Sequence, residues 1–282
     1  MTHHKDYTQT LTEALESSRV SVTQIADTLN LSSGKGLTAN KVNIDPLPLF
    51  DRLDQESPLD PTRMKQLIGG YVSGVVLSMG ESKFSTADTV EYEEVAGGML
   101  SNVEVDTFIL GVEAVLGVKP WYEHFNEERG LIQVVYLSLN RGTRPLTQDL
   151  VERWGSTTDR IFSAARSMLF HRTRDAHLDR AKDASHPDIQ QVSKGDGYDA
   201  ARSLVLPDVF FIELNEPTFH FAMPSKDLLL FVDASDKDTE KLQALHDLAK
   251  TKWSEADYPL DHAVYTLKTT QRPYFAELKK AE

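Results

Sequence analysis

The sequence predicts an α+β fold of mixed or antiparallel sheets and packed helices, and three observations support it. Amphipathic helical patterns and short apolar strands both occur along the 282 residues. Their order is mixed and lacks the steady strand–helix–strand alternation of a doubly wound parallel sheet. The chain is also long enough for more than one core. We therefore expect two α+β subdomains of similar size, over residues 1–125 and 126–282.

The N-terminal region begins with a predicted amphipathic helix, followed by a segment with two interpretations. The helix covers about residues 6–17, where Leu11 and Leu15 share one face. Residues 20–44 form either a helix-turn-helix that binds DNA or a hairpin that turns at 33–36. The hairpin is favoured, because no second, basic helix follows the turn.

The strongest helical pattern covers residues 60–79. Its apolar stripe is wide enough to be buried on more than one side, and comprises Met64, Leu67, Ile68, Tyr71, Val72, Val75, Val76 and Met79. Glycines at positions 69, 70 and 74 lower the helix propensity of the segment. Because glycine has no Cβ, they also permit another element to pack closely against this helix.

The middle of the chain alternates between predicted strands and helices. Residues 131–139 are apolar on both faces and predict a central strand. Another strand is expected near 103–110. Helices are predicted after Thr147 and after Ser156, with Ser156 as the N-cap of the second helix and Asp159 at its capping-box position.

The C-terminal region contains the most specific pattern in the sequence. A turn with two glycines leads into a short helix over residues 195–204. Two strands follow over residues 219–232, joined at 223–226. We then expect a helix near 237–253 and a last strand at 263–267.

The composition argues against several classes of function. The chain has no cysteine, which excludes disulfides, cysteine nucleophiles and metal sites with thiolate ligands. Its net charge of −13 disfavours nucleic-acid binding. It has neither an apolar run of about 20 residues nor a secretory signal pattern at the N-terminus. We expect a soluble cytoplasmic protein with no membrane or nucleic-acid partner.

No cofactor or metal site is predicted. The sequence lacks the spacing of a phosphate loop, a dinucleotide fingerprint, an EF-hand or a nucleophile elbow. His171, His177 and His186 share a polar segment, but spacings of six and nine residues do not align them on one helical face. A solvated surface explains them better than a metal centre.

Two places hold candidate catalytic residues. Asp196, Asp199 and Arg202 are either a polar site or a helix start with a local salt bridge, since Asp199 and Arg202 lie one helical turn apart. His220 lies between two phenylalanines on a predicted strand. It is either a general base oriented by Asp227 or a hydrogen-bonded strand residue.

The C-terminal half resembles the YtpQ family, a group of bacterial proteins of unknown function. The resemblance covers about residues 130–275. It depends on Asp-Leu-Val-Glu-Arg-Trp-Gly at 149–155, Gly-Tyr-Asp-Ala-Ala-Arg at 197–202 and Met-Pro-Ser-Lys-Asp-Leu-Leu-Leu-Phe at 223–231. The resemblance implies a shared fold and a bacterial cytoplasmic setting, and it assigns no catalytic residue.

The leading hypothesis is a non-catalytic protein-interaction or regulatory module with a protein partner. The alternative is a hydrolase built around Asp196, Asp199, Arg202 and His220, which requires that these side chains converge in one pocket. A third hypothesis, DNA binding through residues 20–44, requires a pair of helices there.

Overall fold

The fold is α+β, as the sequence predicts, and forms two compact units. The computed structural model describes residues 2–25, 27–33, 40–80, 91–139, 142–175, 181–182, 185–206, 219–233, 238–268 and 277–280. The first unit comprises residues 1–100 and 104–161, and the second comprises residues 101–103 and 162–282. The division lies after residue 161 rather than near 125, because strand pairing joins residues on both sides of position 125.

The first unit starts with one helix and a three-stranded antiparallel sheet. These elements are α1 (Thr2–Ser17), β1 (Ser21–Ile25), β2 (Thr28–Ser33) and β3 (Asn40–Ile44). The predicted helix and the strand pairing of the predicted hairpin are confirmed, whereas residues 34–36 of its expected turn lie outside the described residues. The helix-turn-helix interpretation of 20–44 is wrong, because alternate residues such as Leu29 and Leu31 are buried, a strand period that favours the pleated sheet.

Helices dominate the next part of this unit. They are α2 (Leu47–Gln55), α3 (Pro61–Met79) and α4 (Tyr92–Val95), followed after strand β4 (Met99–Val105) by α5 (Thr107–Leu116). Asp60 caps α3, since its Oδ1 accepts hydrogen bonds from the amides of Thr62 and Arg63 at 2.9 Å each. This confirms the helix predicted over 60–79.

Helices α3 and α5 approach each other at glycines. A Cβ on Gly70 would lie 2.5 Å from Oγ1 of Thr107, and a Cβ on Gly74 or Gly111 would overlap backbone atoms of the facing helix. The hydroxyl of Thr107 also donates a hydrogen bond to the carbonyl of Leu67 at 2.6 Å. The close packing expected from the glycines of α3 is thus confirmed at Gly70 and Gly74.

A second sheet completes the first unit. Strand β6 (Leu131–Leu139) pairs with β4 on one side and with β5 (Tyr122–Asn126) and β7 (Gly142–Pro145) on the other, which confirms its central position. The strand expected near 103–110 is partly wrong, because α5 begins at Thr107. The apolar segment that forms α5 is compatible with a helix as well as with a strand. Gly117, at φ 70°, ends the helix.

Two consecutive helices, α6 (Gln148–Trp154) and α7 (Thr158–Asp175), follow as predicted. The expected cap of α7 is displaced by one residue. The amide of Arg160 donates to Oγ1 of Thr157 at 3.3 Å, whereas Oγ of Ser156 is buried and finds no partner among the described residues. Serine and threonine are both favoured N-cap residues, so residue type alone does not fix which of two neighbours caps the helix.

Besides most of α7, the second unit contains a six-stranded sheet and another long helix. Its other elements are β8 (Ala181–Lys182), β9 (Gln190–Val192), a 3₁₀ helix (Ala200–Leu204), β10 (Phe219–Ser225), β11 (Leu228–Asp233), α8 (Thr239–Glu255), β12 (Tyr265–Lys268) and β13 (Glu277–Lys280). The strand order is β13-β12-β10-β11-β9-β8. Leu245 and Ala249 of α8 belong to one buried cluster with Ala222 and Leu230 of the sheet.

The predicted hairpin at 219–232 is confirmed, but its turn is later than expected. Strand β10 continues through Met223 and Pro224 to Ser225, and the turn contains only residues 226–227. The register shifts between Ala222 and Ser225, an irregularity that accommodates a proline lacking the amide donor. In the described part of the chain, no helix is both long and apolar enough to cross a membrane.

Candidate functional site

Three of the four candidate residues meet in the second unit. We call Asp196, Asp199 and Arg202 the Arg202 cluster. The guanidinium binds both carboxylate oxygens of Asp196, each at 2.8 Å, and its Nη1 also donates to Asp199 Oδ1 at 2.6 Å. Arg202 and Asp199 have no solvent-exposed side-chain surface, while the side chain of Asp196 is 26% exposed. The cluster is therefore closed on all sides except at Asp196.

The loop before the 3₁₀ helix folds around the carboxylate of Asp199. Gly195 and Gly197 adopt left-handed conformations, with φ of 67° and 77°, which glycine reaches at little steric cost. This curvature aims the amides of Lys194 and Gly195 at Asp199 Oδ2, at 2.6 and 2.9 Å. Such a row of amides is a common anion-binding arrangement. In this protein its anion is the side chain of Asp199.

Other backbone groups of the loop also form hydrogen bonds to side chains. The amide of Gly197 donates to Asp227 Oδ1 at 2.9 Å, and the amide of Tyr198 donates to Asp196 Oδ1 at 3.2 Å. The carbonyl of Gly197 accepts a hydrogen bond from Asn102 Nδ2 at 3.1 Å. The chain's own side chains therefore occupy the positions that a bound phosphate or carboxylate would need.

Arg172 of helix α7 covers the outer side of the cluster. Its Nε lies 3.4 Å from Asp196 Oδ2, and its guanidinium carbon lies 4.7 Å from the centre of the Tyr198 ring. The side chain of Arg172 is 42% exposed, so its ion pair is screened by solvent. It adds a second positive charge beside Asp196 without sealing the cluster from water.

The ionisation of the cluster follows from these contacts. Burial alone would raise the pKa of Asp196, but the hydrogen bond and charge of Arg202 outweigh it and lower the pKa to about 2. Burial raises the pKa of Asp199, with the amide of Gly195 and the charge of Arg202 acting in the opposite direction. Burial disfavours the charged form of Arg202, yet the hydrogen bond to Asp196 more than compensates, and its pKa is raised.

His220 is buried within the sheet and is not placed to act as the general base that one interpretation of the sequence allowed. Its side chain is 1% exposed, and Nδ1 lies 3.0 Å from Oγ1 of Thr266 on the neighbouring strand β12. The expected orienting carboxylate, Asp227, instead caps the amide of Gly197. That part of the prediction is wrong, because the two-residue turn places Asp227 at the opposite end of the hairpin from His220. The hydrogen-bonded strand interpretation describes His220 correctly.

The histidine segment holds no metal site in the part that the structure describes. No group of three or more histidine, aspartate or glutamate side chains is placed to share an ion among the described residues. His171 lies in α7, and His177 falls outside the described residues.

A groove in the first unit was not predicted from the sequence. It lies between α1, the turn from β1 to β2 and the start of α2, and has a volume of about 520 Å³. Its described lining consists of Thr8, Gln9, Thr12, Glu13, Gln24, Asp27, Leu29, Pro46, Leu47 and Phe50. Leu29 and Phe50 are buried, whereas Leu47 at the rim is 42% exposed.

The groove has an apolar floor and an acidic rim. The rim carries the exposed carboxylates Glu13 and Asp27, and the described lining contains no lysine, arginine or histidine. Ile25 follows Gln24 in strand β1, so its side chain lies on the opposite face, where it is the most exposed of the large apolar side chains described, at 56%. The one local sequence feature that points to this site is strand β1, Ser-Val-Thr-Gln-Ile, whose five residues are all uncharged.

Comparison of the chain with protein-family models, with curated proteins and with solved structures found no match. The resemblance to the YtpQ family therefore stays a prediction from the sequence, and function must be argued from the geometry of the two sites.

Proposed function

We propose that this protein is a non-catalytic interaction module that works by binding a protein partner. The observation that carries the proposal is that both carboxylates of the Arg202 cluster are engaged by groups of the chain itself, which leaves only the buried Nε of Arg202 without a partner among the described residues. The carboxylates are engaged by Arg202 and by backbone amides of their own loop. Groups committed in this way stabilise a loop and have little capacity left for a substrate.

The ionisation of the cluster also argues for a structural role. A general acid or base works best when its pKa lies near the operating pH. Asp196 is the one member with appreciable exposure, and its pKa of about 2 keeps it ionised far below neutral pH. Asp199 is fully buried, so a substrate could reach it only if the loop opened.

The groove of the first unit supplies a surface suited to binding. Exposed apolar groups bordered by polar ones commonly mark interaction sites. Leu47 is an exposed apolar side chain at this groove, and Glu13 and Asp27 provide charge for selection. A regulatory module with a protein partner requires such a surface and does not require a nucleophile. The cytoplasmic location expected from the sequence is part of this proposal.

The proposal is tested by mild cross-linking of the full chain in its native cell, followed by purification and mass measurement of the complex. We expect one protein partner at a near-stoichiometric ratio. Recovery of the chain without a partner, at several cross-linker concentrations, would contradict the proposed function.

A parallel assay addresses the hydrolase hypothesis. The purified chain is incubated with ester, phosphate-ester and amide substrates, alongside an Asp199→Asn variant as the matched control. We expect no turnover in either sample. Turnover by the wild type that the Asp199→Asn variant loses, while remaining folded by circular dichroism, would overturn the proposal and favour an enzyme.

A further inference from the structure

Strand β1 is an outer strand with an exposed surface. It occupies one end of the sheet order β1-β2-β3 and pairs antiparallel with β2. Four of its five residues are exposed, and Ile25 is 56% exposed. An outer strand presents a row of backbone donors and acceptors to which another strand can pair.

The sequence of β1 lacks the usual protection of such an edge. Proteins often place lysine, other charged residues or proline in outer strands, because these residues oppose pairing with foreign strands. In this chain the outer strands β5, β8 and β13 follow that rule, since they contain Glu123, Lys182 and a lysine pair at 279–280. Strand β1 consists of Ser-Val-Thr-Gln-Ile and has no such residue.

The groove is continuous with this strand. Gln24 belongs to β1 and also lines the groove, and it lies opposite Leu29 in the strand register. Successive side chains of a strand alternate between the two faces of a sheet. In a strand added beside β1, every second side chain would therefore lie on the face that carries Gln24 and Leu29, toward the apolar floor.

The charge of the groove rim favours one kind of binding partner over the others. Glu13 and Asp27 give the rim two carboxylates, and no cationic side chain offsets them in its described lining. A second copy of the chain, itself carrying a net charge of −13, would bring like charges together. A positively charged segment of another protein complements the rim.

We propose that an extended, basic segment of a partner protein adds to β1 as a fourth strand. On the strand face that carries Gln24 and Leu29, its apolar side chains fill the groove over Leu29 and Phe50, and its cationic side chains pair with Glu13 and Asp27. Backbone pairing supplies affinity, and the groove supplies specificity, as in other modes of strand addition. This inference rests on the proposed binding function and names the partner's chemistry.

The test uses the full chain and a short fluorescein-labelled peptide of lysine and valine. The positions that would face the groove hold valine at the centre and lysine at both ends. Fluorescence anisotropy measures the binding of this peptide, and amide hydrogen exchange measures the protection of residues 21–25. We expect binding together with slower exchange in β1. A lysine–glycine peptide has the same charge but low strand propensity and no apolar side chains, and it should bind at least about tenfold more weakly.

Charge-reversal variants locate the site. A Glu13→Lys, Asp27→Lys double variant should lose at least about tenfold in affinity for the lysine–valine peptide and gain affinity for a glutamate–valine peptide. Glu16→Lys is the matched control, because it reverses a charge on the same helix outside the groove lining. Its effect on affinity should be small.

An edge-protected variant separates strand pairing from charge attraction. Ile25→Lys places a lysine in the outer strand and should abolish the protection of β1, whereas Val118→Lys, a substitution of another exposed apolar residue, should leave it unchanged. Self-association of the wild type that Ile25→Lys removes would instead identify a second copy as the occupant and overturn the proposal.

The outcomes distinguish this inference from the proposed function. Equal binding of the peptide by the wild type and the double variant, or unchanged exchange at 21–25, overturns strand addition at β1. The proposed function then stands or falls on the cross-linked partner alone. If a partner is captured and the double variant retains it fully, binding is real but takes place on another surface.

Discussion

The Arg202 cluster and the groove beside β1 contrast in how far their polar groups are already used. In the cluster, two carboxylates accept hydrogen bonds from the two Nη atoms of one guanidinium and from the backbone amides of one loop, at 2.6–3.2 Å. In the groove, two exposed carboxylates border an apolar floor and an outer strand. The dense group of charged residues stabilises the fold, while the sparse group borders the surface for which we propose binding.

The largest expected effect comes from removing the buried guanidinium. Arg202→Ala leaves the buried Asp199 and the half-buried Asp196 without their counter-ion, and should lower the free energy of unfolding by about 3–5 kcal/mol. Urea unfolding followed by circular dichroism measures the change. Arg202→Lys keeps the charge without the two-pronged contact to Asp196, and should fall between the wild type and Arg202→Ala.

Arg172→Ala is the matched control for that experiment. It removes an arginine that contacts the same Asp196 but is 42% exposed, so the loss should be below about 1 kcal/mol. Equal losses for Arg172→Ala and Arg202→Ala would remove the distinction between a closed cluster and an ordinary surface ion pair.

The second prediction concerns acid stability. The folded-state pKa of Asp196 is lowered from 3.8 to about 2, so its ionised form stabilises the fold above pH 4 and this contribution is lost as the pH falls toward 2. The contribution is about 2 kcal/mol. Thermal unfolding between pH 2 and pH 6 should show a steeper decline for the wild type than for Asp196→Asn.

The ionisation of Asp199 changes the stability of the fold with pH in the direction opposite to that of Asp196. Burial raises the pKa of Asp199, so its contribution to stability is largest at low pH and is lost as the pH rises. A wild-type profile parallel to that of Asp196→Asn over the whole range would show that Asp196 does not supply the acid-dependent stability.

The third prediction tests the loop that aims the amides at Asp199. Gly197→Ala places a side chain at φ 77°, a conformation that costs alanine about 1 kcal/mol, and no neighbouring atom lies within 4 Å of the added Cβ. The loss of stability should therefore be about 1 kcal/mol and come from the backbone alone. Gly117→Ala, at φ 70° with equally open surroundings, should cost a similar amount. A much larger loss at Gly197 would mean that the loop is also strained.

The sequence predicted the pairing of Asp199 with Arg202, but not the contacts between residues that are distant in sequence. Asp199 and Arg202 lie three residues apart, and their pairing follows from helical spacing. The contact of His220 with Thr266 joins residues 46 positions apart and depends on strand order, which no local pattern contains. One of the two interpretations of His220 placed Asp227 beside it, but Asp227 lies in the two-residue turn and accepts a hydrogen bond from the amide of Gly197.

The groove was beyond local prediction for a related reason. Helix α1, the hairpin and the close approach of another element to the glycines of α3 were expected from periodicity and glycine positions. The groove arises only where α1, the β1–β2 turn and α2 come together, and its floor residues Leu29 and Phe50 look like ordinary core residues in the sequence. Periodicity shows which residues are buried, but it does not show which buried residues lie beneath an opening.

The smallest expected effects on stability are those of substitutions in the groove and in the neighbouring strand β1. Glu13→Lys and Ile25→Lys change exposed side chains, so each should alter the free energy of unfolding by less than about 0.5 kcal/mol. Urea unfolding at matched ionic strength measures this. A binding surface can change without cost to the fold, whereas the cluster cannot, and the same variants should still weaken peptide binding. A loss of several kcal/mol at Glu13 or Ile25 would instead assign the groove to the architecture of the first unit, as Arg202 is assigned in the second.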